Sequence, residues 1–319
     1  MIAKTKTKTK TKRKTKRRIL IKNKYTRKQK ERIADRINDL KETDVLDDFK
    51  KLQEIGCAYH KELSLIGNKV VNKYTLVERL NATGKQKVNF YDIWRNKNSL
   101  KNVPSIKKMV QFYKTNRASC PEIKVWYRIS NLYYSAISIF KPLIAMDIYC
   151  RYKPTSVLDP FMGWSGRLVG AAALNIPKYI GIDLNTNLKI PYQHLTKFLG
   201  KHSSTKIQLF FQDALTVDYS KLDFDLVLTS PPYYDVEIYD ANQLTKSKEK
   251  WNTEFYIPLF QMTFKYLKKG GHYCLNIPIE VYKNVAIKVL GKCTTKINMP
   301  KFKRESGEKY HEFIYVWAK

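Results

Sequence analysis

Val157-Leu158-Asp159-Pro160-Phe161-Met162-Gly163-Trp164-Ser165-Gly166-Arg167 is the stretch that decides how this chain folds. A hydrophobic run ends in an acid, turns through a glycine-bearing loop and enters a helix beginning near Arg167. In a doubly wound sheet, ligands bind at the carboxyl ends of strands, beside such a first turn. Glycine lets the backbone approach a ligand closely, and Asp159 can hold a cationic amine. The small residues Gly170, Ala171, Ala172 and Ala173 let the following helix lie close to the sheet. No Gly-Lys-Ser/Thr follows, so this is not a phosphate-binding P-loop.

Working outward, apolar β-rich runs alternate with helical stretches after residue 150. They are Ser156–Asp159, Tyr179–Asp183, Ile207–Gln212, Phe224–Thr229 and His272–Ile277. That alternation predicts a parallel sheet covered on both faces. The chain ends with Thr294–Asn298 and His311–Ala318 around the polar stretch Lys301–Lys309, which suits a hairpin better than another crossover. The expected fold is α/β, a Rossmann-like doubly wound sheet over 138–319. Two further strand ends carry acids. Asp183 is placed to accept from ribose hydroxyls, and Asp213, followed by Ala214, from an adenine amino group. Each acid alone reads as a helix N-cap; three at successive strand ends look like a nucleoside site.

The second informative stretch is Leu226-Val227-Leu228-Thr229-Ser230-Pro231-Pro232-Tyr233-Tyr234. Two prolines straight after a buried strand fix an extended backbone and leave carbonyls unpaired. An exocyclic base nitrogen is a poor nucleophile, because its lone pair is delocalised into the ring. Accepting its hydrogens at Ser230 Oγ and the Pro231 carbonyl favours a tetrahedral nitrogen whose lone pair points at a methyl donor. Tyr233 would stack on a base taken out of its helix. Positioning supplies most of such catalysis, so no strong general base is required.

The rest of the chain is basic. Of 60 Lys+Arg, fifteen lie in residues 1–30, which contain no acid; residues 31–319 hold 45 against 28 Asp+Glu, an excess of 17. That points to a polyanionic partner. Residues 4–16 repeat Lys-Thr, broken by Arg13, so residues 1–30 are expected to be a disordered arm, either solubilising or phosphate-neutralising. Residues 31–137 are expected to form a mostly helical module, with Tyr91, Trp94, Phe112, Tyr113 and Trp126 among the cations. Most of those rings should serve its core. Five cysteines without metal-ligand spacing read as reduced thiols in an intracellular compartment, nucleus or cytoplasm, with no zinc. No apolar run reaches the length of a membrane span.

Together these segments resemble the class I S-adenosylmethionine-dependent amino-methyltransferases, whose motifs read Asp-Pro-Phe-x-Gly and (Asp/Asn/Ser)-Pro-Pro-(Tyr/Phe). Phe140-Lys141-Pro142-Leu143-Ile144 looks like the family's motif upstream of the cofactor loop. Tyr266-Leu267-Lys268-Lys269-Gly270-Gly271-His272-Tyr273 is similar to its glycine turn and fifth strand. The segment Ser230–Trp251, with Asp235, Glu237 and Tyr239, looks most like methylases of phages and large DNA viruses. The resemblance covers roughly 138–319 and implies a seven-stranded sheet. It implies S-adenosylmethionine held by Phe140, Asp159, Pro160, Phe161, Gly163, Asp183, Asp213 and Ala214. Catalysis would fall to Ser230, Pro231, Pro232 and Tyr233, acting on DNA ahead of RNA at cytosine N4 or adenine N6. Ser165 stands where the family usually has a second glycine. Only about 64 residues separate the two motifs, so target recognition must come largely from residues 1–137. A cytosine-C5 enzyme is disfavoured, because the chain has no Pro-Cys pair. An RNA enzyme and a catalytically silent nucleic-acid-binding subunit stay open.

Overall fold

The computed structural model describes residues 20–58, 64–84, 87–134, 137–234, 237–238, 247–299 and 312–319. The Lys-Thr run, Asp235, Tyr239 and the polar stretch at 301–309 lie outside them. Seven strands form one sheet: β1 Ser156–Asp159, β2 Lys178–Ile182, β3 Lys206–Phe210, β4 Leu226–Thr229, β5 His272–Asn276, β6 Thr295–Met299 and β7 Glu312–Ala318. Their order is β3-β2-β1-β4-β5-β7-β6. Pairing is parallel from β3 to β5, and β7 runs antiparallel between β5 and β6. This is the doubly wound sheet with a terminal hairpin expected above. The strand order reverses between β1 and β4, so a crevice opens at the carboxyl ends of those two strands.

Side-chain alternation splits the core between the two faces of the sheet. Val157, Tyr179, Leu226 and Leu228 face one buried cluster; Leu158, Ile180, Ile182 and Val227 face the other. The first face is covered by α8 (Pro142–Tyr152), α9 (Gly166–Ala173) and α10 (Lys189–Leu199). On the second, α11 (Lys248–Trp251) runs through a π turn at Asn252–Tyr256 into α12 (Ile257–Tyr266). Pro258 has no N–H to donate back along the helix, and the wider turn there absorbs the missing bond. A similar π turn, Tyr282–Ala286, joins α13 (Ile279–Val281) to α14 (Ile287–Leu290).

Among the described residues, seven helices precede α8: α1 Arg27–Asn38, α2 Glu42–Ile55, α3 Asn68–Asn81, α4 Phe90–Arg95, α5 Lys97–Leu100, α6 Pro104–Asn116 and α7 Glu122–Tyr133. Val45, Phe49 and Leu52 of α2 and Val70 and Val71 of α3 are fully buried in the same cluster as Val157 and Leu168. The core therefore runs across the expected boundary at 137. A separate cluster gathers Ile33, Leu76, Leu80, Phe90, Tyr91 and Trp126. Of the five rings singled out, Tyr91, Tyr113 and Trp126 are buried and Phe112 is exposed.

The folded chain begins earlier than expected. Ile21 exchanges hydrogen bonds with the Asn96 side chain, Asn23 and Lys22 donate to the buried Asp92, and Thr26 with Gln29 makes a capping box for α1. Residues 20–30 thus belong to the helical layer, because their backbone donors and acceptors find partners there.

The expectation of five reduced thiols also fails. Cys57 and Cys150 form a disulfide, with Cα atoms 5.5 Å apart across 93 residues of chain. Spacing along the chain could not show it, since only the packing of α2 against the sheet's helices brings the two together. Cys120, Cys274 and Cys293 are free. Among the described residues, no helix is long and apolar enough to cross a membrane.

Candidate active site

Asp159 ends β1, but it does not lie open in a cleft. It is fully buried and receives Arg167 Nε at 2.7 Å, the Tyr179 hydroxyl at 2.6 Å, Thr229 Oγ1 at 2.9 Å and the Phe161 N–H at 3.3 Å. Here the cation that its carboxylate holds is Arg167. A carboxylate out of water demands a counter-charge, and the first turn of α9 supplies one within reach. Burial disfavours the Arg167 cation, and the attraction of Asp159 outweighs it, leaving the guanidinium more basic than usual. Arg167 also donates to the Phe161 carbonyl and lies 4.9 Å from the centre of the Phe140 ring. Phe140 is thereby brought to the loop, with its carbonyl against Gly166. A Cβ at Gly166 would stand 1.7 Å from that oxygen, so only glycine fits.

The loop itself is built on positive φ angles at Gly163 (50°) and Ser165 (69°). Serine in the left-handed region costs on the order of 1–2 kcal/mol. Its side chain is buried, and its Oγ has no hydrogen-bond partner among the described residues. Gly163 donates its N–H to Asp183 Oδ2 at 2.9 Å, and Asn185 donates to the other oxygen at 2.8 Å. Tyr192 donates to the carbonyls of Met162 and Gly163. Burial pushes the Asp183 carboxyl up to about 6. Pro160 is buried, and Phe161 is half-buried with its ring 5.6 Å from that of Phe255. One strand further out, Asp213 is exposed and caps a 3-10 turn through Leu215 N–H at 2.9 Å, with Ala214 buried beneath it.

Across the crevice, Ser230 follows β4. Its Oγ lies 2.9 Å from the Tyr233 hydroxyl and 3.1 Å from Asn276 Oδ1. The Tyr233 hydroxyl donates to Asn276, whose carbonyl is 2.8 Å away and whose Oδ1 is 2.9 Å away. Asn276 Nδ2 donates to the Phe313 carbonyl at 3.1 Å, which fixes the amide's orientation. Pro232 is held from the other side, its carbonyl accepting from the Tyr256 hydroxyl at 2.6 Å. Tyr234 takes a positive φ of 43° and donates to Asn252 Oδ1 at 3.0 Å. Pro231 is buried. The tetrapeptide is thus pinned by residues from β5 and from the π turn before α12.

Thr229 Oγ1 on Asp159 joins the two halves of the site directly. Sequence reading passed over Arg167 as a ligand of Asp159, and it missed Tyr179, Thr229, Asn276 and Tyr256. Only Asn276 carried a signal, as a polar residue ending an apolar strand. The others are recognisable only once strands and helices are packed.

A nucleoside-bearing methyl donor fits part of this site. Gly163 presents a turn without a Cβ beside Asp183, and among the described residues Ser165 Oγ has no partner and the desolvated Asp183 carboxylate accepts from two backbone donors. Asp159, fully engaged by Arg167, does not fit as a direct ligand in this conformation.

No family model and no curated protein matches the chain. Among solved structures it is similar to TrmN from Thermus thermophilus, at 17% identity and a TM-score of 0.41. That match covers 55% of this chain and 48% of TrmN, so it spans about half of that protein. It is also similar to an rRNA methylase from Streptococcus thermophilus, at 15% identity and a TM-score of 0.37, covering 56% and 96% of the two chains. A third likeness, to a putative SAM-dependent methyltransferase from Streptococcus mutans, has 16% identity and a TM-score of 0.36 over 50% and 43%. The seven-stranded sheet stands on its own strand order, and the functional reading rests on the crevice between β1 and β4.

Proposed function

We propose that this chain transfers a methyl group from S-adenosylmethionine to the exocyclic amino group of a nucleic-acid base, in DNA at cytosine N4 or adenine N6. The observation that carries the reading is the hydrogen-bond polarity at Ser230. Its single proton has two acceptors, Asn276 Oδ1 and the Tyr233 hydroxyl, and both lie on the protein side. In either case the serine oxygen keeps lone pairs with which to accept from an amino group. An acceptor there, with the Pro231 carbonyl beside it, draws the amino hydrogens away and frees the nitrogen lone pair for attack.

S-adenosylmethionine, when bound, supplies an electrophilic methyl group on a sulfonium. Gly163 and Asp183 would hold it, with Phe140, Pro160, Phe161, Asp213 and Ala214 around them. Asp159 acts at one remove, fixing Arg167 and through it the loop. Tyr233 has its hydroxyl tied to Asn276, so its ring is a fixed wall against which a base can stack. The excess of 17 positive charges in residues 31–319 supports a polyanionic substrate.

Incubating the chain with labelled methyl donor and either DNA or RNA, then identifying labelled nucleosides by mass spectrometry, tests the proposal. N4-methylcytosine or N6-methyladenine from DNA is the expected product. Label confined to RNA would transfer the same chemistry to the other polymer, and no labelled nucleoside from either would refute it.

A further inference from the structure

Helix α3 carries an arginine that no acid among the described residues neutralises. Arg79 is 7% exposed, and its guanidinium bonds Asn72 Oδ1 and the Tyr127 hydroxyl. No carboxylate among the described residues pairs with it, because the neighbouring Glu78 is taken by Arg27. Burial accordingly draws the Arg79 pKa down. A guanidinium carries five N–H donors in a planar fork, so two partners leave capacity for an oxyanion. Arg79 lines a solvent-open cleft together with Val88, Asn89, Tyr127, Ser130 and Asn131.

The segment that carries Arg79 also meets the loop before α9 and the chain that follows Ser-Pro-Pro-Tyr. Thr75, one turn earlier on the same face of α3, has its Oγ1 3.5 Å from the Trp164 carbonyl in the loop before α9. Just beyond α3, Thr83 pairs antiparallel with Ile238, eight residues past Ser230. Ile137, which also lines the cleft, leads into Phe140, whose carbonyl abuts Gly166.

We propose that the Arg79 cleft holds a phosphate of the polynucleotide strand that presents its base at Ser230. The inference rests on the base-methylation reading and adds the contact that sets the strand's position. Phosphate suits a planar fork of donors, which grips two oxygens at once. The many exposed lysines attract a strand without fixing it. A desolvated guanidinium at one point can fix it, and phosphate contacts set register without reading sequence.

The test is a titration of the full chain, without methyl donor and at constant ionic strength. The ligands are deoxyadenosine, deoxycytidine, their 5′- and 3′-monophosphates, and inorganic phosphate. One phosphate position should raise affinity over the nucleoside about tenfold, the worth of a good charge-assisted pair. Arg79→Gln and Asn131→Asp should each erase that increment. Asn131 is exposed, so Asn131→Asp is informative even if loss of Arg79 destabilises the fold. Ser230→Ala should leave the increment unchanged. No increment in the natural chain, or one that survives both cleft variants, overturns the proposal. Inorganic phosphate binding as tightly as the nucleotides, and losing affinity in both variants, overturns it in favour of a free-anion site. An increment that behaves as expected in a chain that methylates nothing would refute the methylation reading alone.

Discussion

Arg167 Nε stands 2.7 Å from Asp159 Oδ2, and the two side chains are 5% and 0% exposed. This buried ion pair, closed by Tyr179 and Thr229, joins β1, β2, β4 and α9 at the bottom of the crevice. Asp159→Ala would leave the guanidinium buried without its counter-charge, at a cost of about 3–5 kcal/mol. Denaturant unfolding should show that loss, and a double variant Asp159→Asn/Arg167→Met should recover part of it. Native stability in Asp159→Ala would mean that the pair does not hold the crevice together.

Asn276 should matter to turnover without touching the methyl donor. Ser230→Ala removes the acceptor itself and should cost about 2.7–4 kcal/mol in the rate, the usual worth of one positioned donor or acceptor. Asn276→Ala keeps the acceptor but removes one of the two groups that hold its proton, so a smaller loss of rate is expected. Both variants should keep donor affinity. Single-turnover rates read beside calorimetric affinities check this, and an unchanged rate in Ser230→Ala would remove it from the chemistry.

Asp183 makes the site sensitive to pH. Its carboxyl is raised to about 6 by burial, so the folded state binds its proton more tightly than the unfolded state does. The stability from this group is therefore fully present below the ordinary aspartate value and is lost as pH rises through about 6. Ribose hydroxyls donating to the ionised carboxylate would reverse that preference. Affinity for S-adenosylmethionine should then rise between about pH 5 and pH 7, with a proton released on binding near pH 6. Calorimetry in buffers of different ionisation enthalpy measures the proton. In Asp183→Asn the release should vanish.

The basic terminus should act on affinity and leave target choice alone. Residues 1–19 carry ten positive charges and no acid, whereas residues 20–30 belong to the helical layer. A truncated protein should therefore start at Leu20. Its log-log salt dependence on duplex DNA should be shallower by roughly 2–6 units, since each neutralised phosphate contributes about 0.9. Contacts to phosphate position without specifying, so the methylated sequence should not change. An unchanged slope in a salt series would show that these charges do not engage the duplex.

Much of the fold was legible locally because strand patterning and turn chemistry are short-range. Apolar runs ending in Asp159, Asp183 and Thr229 marked β1, β2 and β4 to within two residues, and the hairpin of β6 and β7 followed from the absence of a crossover between them. Ser-Pro-Pro-Tyr announced its place because proline stiffens a strand end wherever it stands. The helical layer was legible as helices, but its division was not. Buried area is shared between elements distant in sequence, and α2 and α3 spend theirs on the sheet's core.

What the amino-acid sequence determined by itself is the set of elements, the acids at the strand ends and the overall positive charge. Only the tertiary structure decided what those groups meet. Asp159 looked like a ligand because an acid at a strand end faces the crevice. Instead it accepts from Arg167, eight residues on, once α9 folds back across the loop. Cys57 met Cys150, Ser230 met Asn276, and Arg79 was left without an acid among the described residues for the same reason. Partnership among buried polar groups depends on distances a few ångströms wide, and packing sets those distances where chain spacing does not.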